Sequence, residues 1–369
     1  MLLPLVKAEF HLTFAQAGVV TNFFFFGSFL TIALAGWAVD AVGGRIILVF
    51  GGLITGVAAL ACALAPAFVV LLGVLLVMGV GIGMVTLAGI VGVRAAFPVR
   101  MRGTVMGIRQ TGIPLGSFFA ALILPSIAIA TSWRGALAAA GVASIVVAIA
   151  GLRIYRSGPR ARTTNVGGAS LLNVLTRDIT VAAISGMLLV VGQFCLQTYL
   201  VAYLIHDRNL PITTAAFYLA LSQLAGAAGR VLWGVVSDRL LSGSRRNALL
   251  IAGGAGALGS LALAILPSGF PFAVVVVAIL VCATGAIGWP GVQVLLLTDL
   301  ARPGNEGRSV GLGQMIQQPG TVVGPFLFGL IVDATGSFRA GWLLLAAFLG
   351  LAMLIMSAVR EAPRLRTSS

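Results

Sequence analysis

The chain has 369 residues, of which 59% are hydrophobic and only 9% are charged, and its mean hydropathy is +1.10. A soluble domain carries about 25% charged residues, so most of this chain's surface must face lipid rather than water. The net charge of +14 would indicate nucleic-acid binding in a soluble protein. Here nearly all of the Arg residues lie in short connections between apolar runs, which is typical of a topology signal, so no nucleic-acid partner is expected.

Apolar runs of about 20 residues predict membrane-spanning helices, and eleven such runs follow one another along the chain. They cover residues 15–39, 45–65, 67–93, 103–127, 132–154, 177–204, 211–237, 246–267, 271–298, 306–332 and 337–360. The sequence therefore predicts an all-α membrane protein. Residues 155–176, rich in Arg, Gly, Thr and Ser, are typical of a flexible linker. We expect an N-terminal bundle over 1–154 and a C-terminal bundle with its tail over 177–369.

Four prolines fall inside these runs, at Pro114, Pro290, Pro319 and Pro325. Because proline lacks the backbone N–H and crowds the preceding turn, each predicts a kink or a local break in its helix.

The basic residues divide unequally between the two sides of the membrane. Threading the runs alternately leaves only Lys7, Arg134, Arg208 and Arg339 on one side, and 17 Arg on the other. Since Lys and Arg are enriched in cytoplasmic connections, this bias predicts that the linker and the C-terminus are cytoplasmic. The expected location is the cell inner (plasma) membrane, which the chain crosses many times.

Residues for catalysis, redox chemistry or metal binding are scarce. Cys62, Cys195 and Cys282 each lie inside an apolar run, as small packing residues do. Only two His are present, and the runs contain no paired carboxylates or nucleophile motif. We therefore expect no enzyme activity, catalytic residue, metal or cofactor. The pattern Gly254-Ala-Gly256-Ala-Leu-Gly259 matches a dinucleotide fingerprint by letter only, because it lies within an apolar run without a preceding strand.

Two segments recur across the linker with similar spacing. Gly36-Trp-Ala-Val-Asp40 followed by Gly44-Arg45 parallels Gly234-Val-Val-Ser-Asp238-Arg239 followed by Arg245-Arg246. In the same way, Gly103, Gly107 and Gln110 parallel Gly307, Gly311 and Gln314. A duplicated helical bundle with repeated cytoplasmic turns is the architecture of many transporters.

These turns resemble the signature cytoplasmic loop of the major facilitator superfamily. The resemblance implies a two-bundle fold that alternates access to a central site, and a cytoplasmic latch formed by Gly36, Asp40, Gly44, Arg45, Gly234, Asp238 and Arg239. Two features depart from the family pattern. The Arg that usually precedes the glycine series of the fourth helix is replaced by Leu75. The family has twelve helices, and residues 1–13 look like the end of the first helix, so we expect the functional protein to begin upstream of Met1.

Two arginines lie inside the predicted spans. Arg230 precedes Asp238 by eight residues, or about 12 Å of helix, and Arg109 follows Gly103 by six residues, or about 9 Å. A charged residue in a span is costly and indicates a functional site. The segment from Gly229 to Asp238 resembles the eighth helix of oxalate/formate and monocarboxylate porters, whose matching Arg contacts the substrate carboxylate. The alternative is an Arg that snorkels to the cytoplasm or braces the Asp238 loop.

Polar side chains at helical spacing mark further candidate substrate contacts. Gln193 and Gln197 share one face of the sixth run, and Trp289 and Gln293 form a similar pair in the ninth. Hydrogen bonding between helices is the alternative role of these side chains.

The sequence thus favours a monomeric secondary transporter in the lipid bilayer that carries a small organic or inorganic anion, with or without a coupling ion. Efflux of hydrophobic compounds is the alternative within the same class. A transport-inactive membrane sensor is the alternative from another class.

The predicted orientation can be tested with reporter fusions. We expect cytoplasm-active reporters at Arg160 and after Ser369, because both positions lie on the Arg-rich side. A fusion at Arg208 should be active only outside the cytoplasm and serves as the control. A periplasm-active reporter at Arg160 or Ser369 would overturn the orientation.

Overall fold

The computed structural model describes residues 2–96, 99–154, 175–267, 269–302 and 305–361, without the side chains of 32–42, 90–91, 93–96, 99–108, 154 and 306–307. Within these ranges the regular structure is helical. The first unit of the chain contains α1 (Leu3–Glu9), α2 (Phe14–Val42), α3 (Gly44–Ala63), α4 (Phe68–Ala96), α5 (Val99–Ala130) and α6 (Trp133–Ile154). The second contains α7 (Arg177–His206), α8 (Ile212–Val235), a π-helical turn (Val236–Leu240), α9 (Arg245–Ile265), α10 (Phe272–Gly288), α11 (Pro290–Asp299), α12 (Glu306–Gln317), α13 (Pro319–Thr335) and α14 (Phe338–Ser357).

Eleven segments of the described chain are long and apolar enough to cross a membrane. Each coincides with one of the eleven predicted runs, so the predicted all-α membrane fold is confirmed. Two of these spans consist of two helices, α10 with α11 and α12 with α13, and one ends in the π-helical turn. The chain is therefore a multi-pass membrane protein.

The chain forms two compact units, one made of Met1–Ile113 and Ala120–Gly167, the other of Pro114–Phe119 and Gly168–Ser369.

Three spans of the second unit begin after a Ser or Thr that caps the helix. The hydroxyls of Thr176, Ser244 and Ser337 each accept a backbone N–H of the helix that follows, at 3.2–3.3 Å. Such caps satisfy N–H groups that have no partner within the helix.

Glycine allows equivalent helices of the two units to approach closely. A Cβ at Gly81 of α4 would lie 2.7 Å from the carbonyl oxygen of Gly51 in α3. A Cβ at Gly285 of α10 would lie 2.3 Å from the Ala252 carbonyl oxygen in α9. The pairs α3–α4 and α9–α10 each follow one copy of the repeated turn, so the duplication extends into the packing. Small residues at such contacts are how helices associate in lipid.

Two arginines complete the ends of the same equivalent helices. Arg134 donates from Nη1 to the carbonyls of Ala63 (3.0 Å) and Ala65 (2.7 Å) at the end of α3. Arg208 donates to the carbonyls of Leu266 (2.9 Å) and Pro267 (2.6 Å) at the end of α9. The last carbonyls of a helix lack partners and carry partial negative charge, so a guanidinium stabilises them both as a hydrogen-bond donor and through its positive charge.

Glu9 extends the first of these braces. Arg134 Nη2 donates to the Glu9 carboxylate at 2.7 Å, and the Trp133 indole N–H donates to its other oxygen. These hydrogen bonds, the Arg134 bond first, hold the pKa of the Glu9 carboxyl below its ordinary value. The carboxylate therefore keeps its charge and fixes α1 against the start of α6.

The four prolines act in two ways. Pro290 and Pro319 each begin a new helix, so the predicted breaks occur there. Pro325 lies inside α13 and Pro114 inside α5, and both helices are continuous through them.

Alanine substitutions at two glycines, one inside the contact between α9 and α10 and one outside it, should have opposite effects on stability. Gly285→Ala should destabilise the protein by about 1–3 kcal/mol, because its Cβ would overlap backbone atoms that have no room to move. Gly350→Ala is the matched control, since a Cβ at Gly350 of α14 meets no atom within 4 Å. It should stabilise the helix by about 0.5–1 kcal/mol. Thermal unfolding in detergent measures both, and a Gly285→Ala protein as stable as wild type would contradict the packing.

Candidate functional site

Arg230 lies in α8 where that helix crosses α10. A Cβ at its neighbour Gly229 would lie 2.7 Å from the Thr284 carbonyl oxygen, so only glycine permits this approach. Arg230 is half-buried, and its Nε donates to the carbonyl of Ile287 at 3.3 Å. The guanidinium is therefore fixed within a span, at the point where α10 ends.

The break between α10 and α11 explains why carbonyl groups are available there. Pro290 has no N–H, so the carbonyl of Ala286, four residues earlier, loses its helical partner. The indole N–H of Trp289 donates to that carbonyl at 3.0 Å. From α8, the indole N–H of Trp233 donates to the Thr284 carbonyl at 2.7 Å. Three side-chain donors, from Arg230, Trp233 and Trp289, thus serve carbonyls of the last turn of α10.

The structure places Trp289 and Gln293 in helix contacts. Trp289 is only 3% exposed, and Gln293 is 1% exposed. Gln293 Nε2 donates to the carbonyl of Ala182 in α7 at 2.8 Å. Gln293 therefore has the helix-to-helix role that the sequence left open, whereas the hydrogen bond of Trp289 stays within its own span. Contact of either residue with a substrate stays a prediction.

A buried amide pair lies beside Gly186 of α7, made of the predicted site residue Gln293 and of Gln317, which was not among the predicted site residues. A Cβ at Gly186 would come within 2.6 Å of Gln317 Nε2 and 2.8 Å of Gln293 Nε2, so the missing side chain makes room for both amides. Gln293 Oε1 and Gln317 Nε2 are buried and make no hydrogen bond within the described ranges. Gln317 is the last residue of α12, directly before the Pro319 break. Its position next to a proline was the available sequence signal.

The two glutamines of α7 differ in their surroundings. Gln193 is 7% exposed. Gln197 is partly buried, and its Nε2 donates to Gln223 Oε1 of α8 at 3.3 Å. Gln223 was missed by the sequence analysis. It precedes Arg230 by seven residues, which places both on one face of α8, and this spacing could have identified it.

Arg109 lies in α5 of the other unit and contacts α4. Its Nη2 donates to the Thr86 carbonyl at 2.8 Å, and a Cβ at Gly89 would lie 2.4 Å from its Nε. Glycine at this position therefore makes room for the guanidinium. Like Arg230, Arg109 is half-buried and rests against the backbone of a neighbouring helix.

The second copy of the latch contains an ion pair. Asp238 pairs with Arg245, whose side chain is only 8% exposed, whereas Arg239 is exposed. Arg245 Nε also lies 3.7 Å from Asp299 Oδ2 at the end of α11. A Cβ at Gly234 would meet no atom within 4 Å, so close helix approach does not explain that glycine.

The first copy of the latch is only partly described. Gly36 and Asp40 lie in α2, but their side chains fall outside the described part of the chain. Gly44 begins α3, and Arg45 Nη2 donates to the carbonyl of Leu152 at the end of α6. A gating role for either copy stays a prediction.

Glu361, near the C-terminus, makes further hydrogen bonds to the latch region. Glu361 accepts hydrogen bonds from the Ser244 hydroxyl (2.8 Å) and from the backbone N–H groups of Arg245 (2.8 Å) and Arg246 (3.1 Å). A carboxylate at a helix N-terminus is favoured both by the free N–H groups and by the helix dipole. The chain end therefore fixes the start of α9.

An all-helical multi-pass membrane protein with duplicated turns, duplicated helix packing and arginines held inside its spans is organised as a transporter. The sequence profile of the Major Facilitator Superfamily matches residues 1–318 and 182–369. The chain belongs to this family.

Relatives and a solved structure agree with that assignment. The hexuronate transporter of Bacillus subtilis is 24% identical and aligns over 95% of this chain and 88% of its own length. A probable sulfoacetate transporter of Cupriavidus necator is 26% identical over 95% of this chain and 86% of the relative. A bacterial homologue of the human lysosomal transporter Spinster shares the fold with a TM-score of 0.77, at 18% identity, over 97% of this chain and 91% of that one.

The observed ion pair predicts which latch substitution matters. Asp238→Asn should destabilise the protein by about 1 kcal/mol, because it removes the carboxylate that faces the buried Arg245 while Asp238 itself remains well solvated. Arg239→Gln, at the exposed neighbouring position, should leave stability unchanged. Thermal unfolding of both variants in detergent is the measurement. Equal effects of the two substitutions would show that the Asp238–Arg245 pair contributes nothing specific.

Proposed function

We propose that the protein is a secondary transporter that works by alternating access and carries a small organic anion. The moving parts are the bundles 1–154 and 177–369, and Arg230 is the contact for the anionic group of the substrate. The observation that carries the proposal is the half-buried guanidinium of Arg230, fixed inside a span at a helix break. A charge in a span is costly and marks a substrate pathway by default.

The chemistry of Arg230 suits a carboxylate or sulfonate. Guanidinium keeps its charge at any physiological pH and presents a planar fork that matches such groups with two hydrogen bonds. The Ile287 carbonyl is a neutral acceptor, so its hydrogen bond orients Nε without cancelling the charge. Gln223 on the same face of α8, with its partner Gln197 of α7, supplies amide groups suited to the polar part of such a substrate.

The names of two relatives support an anionic cargo. They describe transporters of hexuronate and of sulfoacetate, which are both small organic acids that are ionised at neutral pH. An arginine within a span argues against a purely hydrophobic cavity, because the buried charge is costly unless it has a polar or charged partner. Efflux of hydrophobic compounds is therefore the less favoured alternative.

Substitution of Arg230 tests the anion contact. Arg230→Gln removes the charge, and Arg230→Lys keeps a point charge but loses the planar fork. Each should lower uptake of the transported anion at least tenfold, since losing such a contact in a desolvated site costs about 2–5 kcal/mol. The assay is uptake into proteoliposomes with glucuronate and sulfoacetate as the first substrates, at equal protein content. Trp233→Phe is the matched control. It removes the neighbouring hydrogen bond to Thr284 but leaves Arg230 in place.

Comparison of the Arg230 variants with Trp233→Phe distinguishes substrate binding by Arg230 from stabilisation of the helix break. If Arg230 only braces α10, Trp233→Phe should impair transport to a similar degree. If both Arg230 variants transport at the wild-type rate, the anion-site assignment is wrong, and efflux of hydrophobic compounds becomes the better hypothesis.

A further inference from the structure

A cavity of about 400 Å³ opens at the end of the second unit where α7, α9 and α14 meet. We call it the α7–α9–α14 cavity. It is lined by Tyr203, Asp207, Arg208, Leu263, Ala264, Ile265, Leu266, Pro267 and Arg339. The spans of α7 and α9 end at His206 and Ile265, and the span of α14 begins at Phe338. The cavity therefore lies at the boundary between the apolar layer and water. None of these residues belongs to the proposed substrate site.

The charges around the cavity are arranged unequally. Arg208 makes four hydrogen bonds: Nε and Nη2 donate to the Tyr203 hydroxyl at 3.2 and 3.1 Å, and Nη1 and Nη2 donate to the carbonyls of Pro267 and Leu266 at the end of α9. All of these acceptors are neutral, so they orient the guanidinium without cancelling its positive charge. Arg339 is exposed, and its side chain makes no hydrogen bond or ion pair within the described ranges. It is the second residue of α14, whose N-terminus adds partial positive charge.

A carboxylate faces this positive region. Asp207 follows the last residue of α7, and its nearest ionisable partner is His206, with Nδ1 3.6 Å from Oδ1. Burial raises the pKa of the Asp207 carboxyl, and the neighbouring His206 and Arg208 oppose that shift only in part. An ammonium group beside Asp207 would stabilise its charged form. The cavity therefore offers one place for an anion and a second place for a cation.

An apolar path leads from the cavity into the membrane layer. Ile265 lines the cavity and is 57% exposed, and Leu261 and Leu258, four and seven residues earlier, are 39% and 66% exposed. Residues at these spacings lie on one face of α9. A hydrocarbon chain can follow this face while a polar group occupies the cavity.

We propose that the α7–α9–α14 cavity binds the head group of a phospholipid that carries both a phosphate and a primary ammonium, with the phosphate at Arg339 and the ammonium at Asp207. The acyl chains lie along the Leu258, Leu261 and Ile265 face of α9. Phosphatidylethanolamine has this chemistry. Phosphatidylcholine keeps the charge but has no N–H to donate, and phosphatidylglycerol has no ammonium.

Native mass spectrometry of the delipidated full chain in detergent tests the proposal through apparent Kd values for three dioleoyl lipids. Wild type should bind the ethanolamine lipid about tenfold more tightly than the choline or glycerol lipid, because only its ammonium can donate a charge-assisted hydrogen bond to Asp207. Asp207→Asn should remove this preference, whereas Arg339→Gln should weaken the binding of all three lipids, because each of them carries the phosphate. Arg302→Gln, an exposed arginine in the connection at the opposite end of the bundle, should retain the preference. Thermal unfolding without lipid verifies that each variant is folded.

Three results would overturn the proposal. Equal binding of all three lipids by wild type would remove the head-group preference on which it depends. An unchanged preference in folded Asp207→Asn, or unchanged affinities for the three lipids in folded Arg339→Gln, would exclude the cavity as the binding site. Competition by soluble phosphoethanolamine at a Kd equal to that of the lipid would show that the α9 face contributes nothing and that the cavity takes a free zwitterion. Because no step measures transport, these results are independent of the substrate proposal.

Discussion

The fold depends on one constraint, which is that no backbone polar group may be left without a partner inside a lipid layer. A continuous helix meets this constraint by itself, and a proline does not. At Pro290 the chain meets it with side chains: Trp289 serves the carbonyl that the proline releases, while Trp233 and Arg230 reach the neighbouring carbonyls from α8. The carbonyl that Pro290 releases is therefore satisfied from within the same span, and α8 adds donors at the neighbouring carbonyls.

That arrangement in turn requires close packing. Trp233 and Arg230 reach the end of α10 because Gly229 and Gly288 bring the two backbones together, and a Cβ at Gly288 would lie 2.8 Å from the Gly229 carbonyl carbon. In lipid, association of helices relies on such packing and on hydrogen bonds rather than on exclusion of water. Small residues and polar donors thus occur side by side at the same crossing. The glycines bring the backbones close enough for the donors to reach the carbonyls, and the hydrogen bonds stabilise the close approach.

The sequence predicted the spans and the repeat well, since both depend on composition and local pattern. Eleven runs became eleven spans, and the repeat reappears in the packing of Gly81 and Gly285. The sequence analysis named no partner for Asp238. A π-helical turn over Val236–Leu240 adds a residue to that part of the helix, and the pairing with Arg245 crosses the following turn, so neighbours in sequence are not neighbours in space. The burial of Trp289 and Gln293 was likewise beyond a spacing argument, because spacing shows which face of a helix a residue lies on but not what covers that face.

Arg230 links the constraint to the proposed function. Its Nε–H is bound to a carbonyl of the α10 break, and its charge is the feature proposed to attract the substrate. A guanidinium is rigid and planar, so an anion that reorients it must also change the geometry of the bond to Ile287. Residues at the ends of helices can absorb changes in φ and ψ, whereas the interior of a continuous helix cannot do so without losing backbone hydrogen bonds. In the proposed mechanism, one residue therefore transmits the arrival of substrate to the segment of the unit best able to change its conformation.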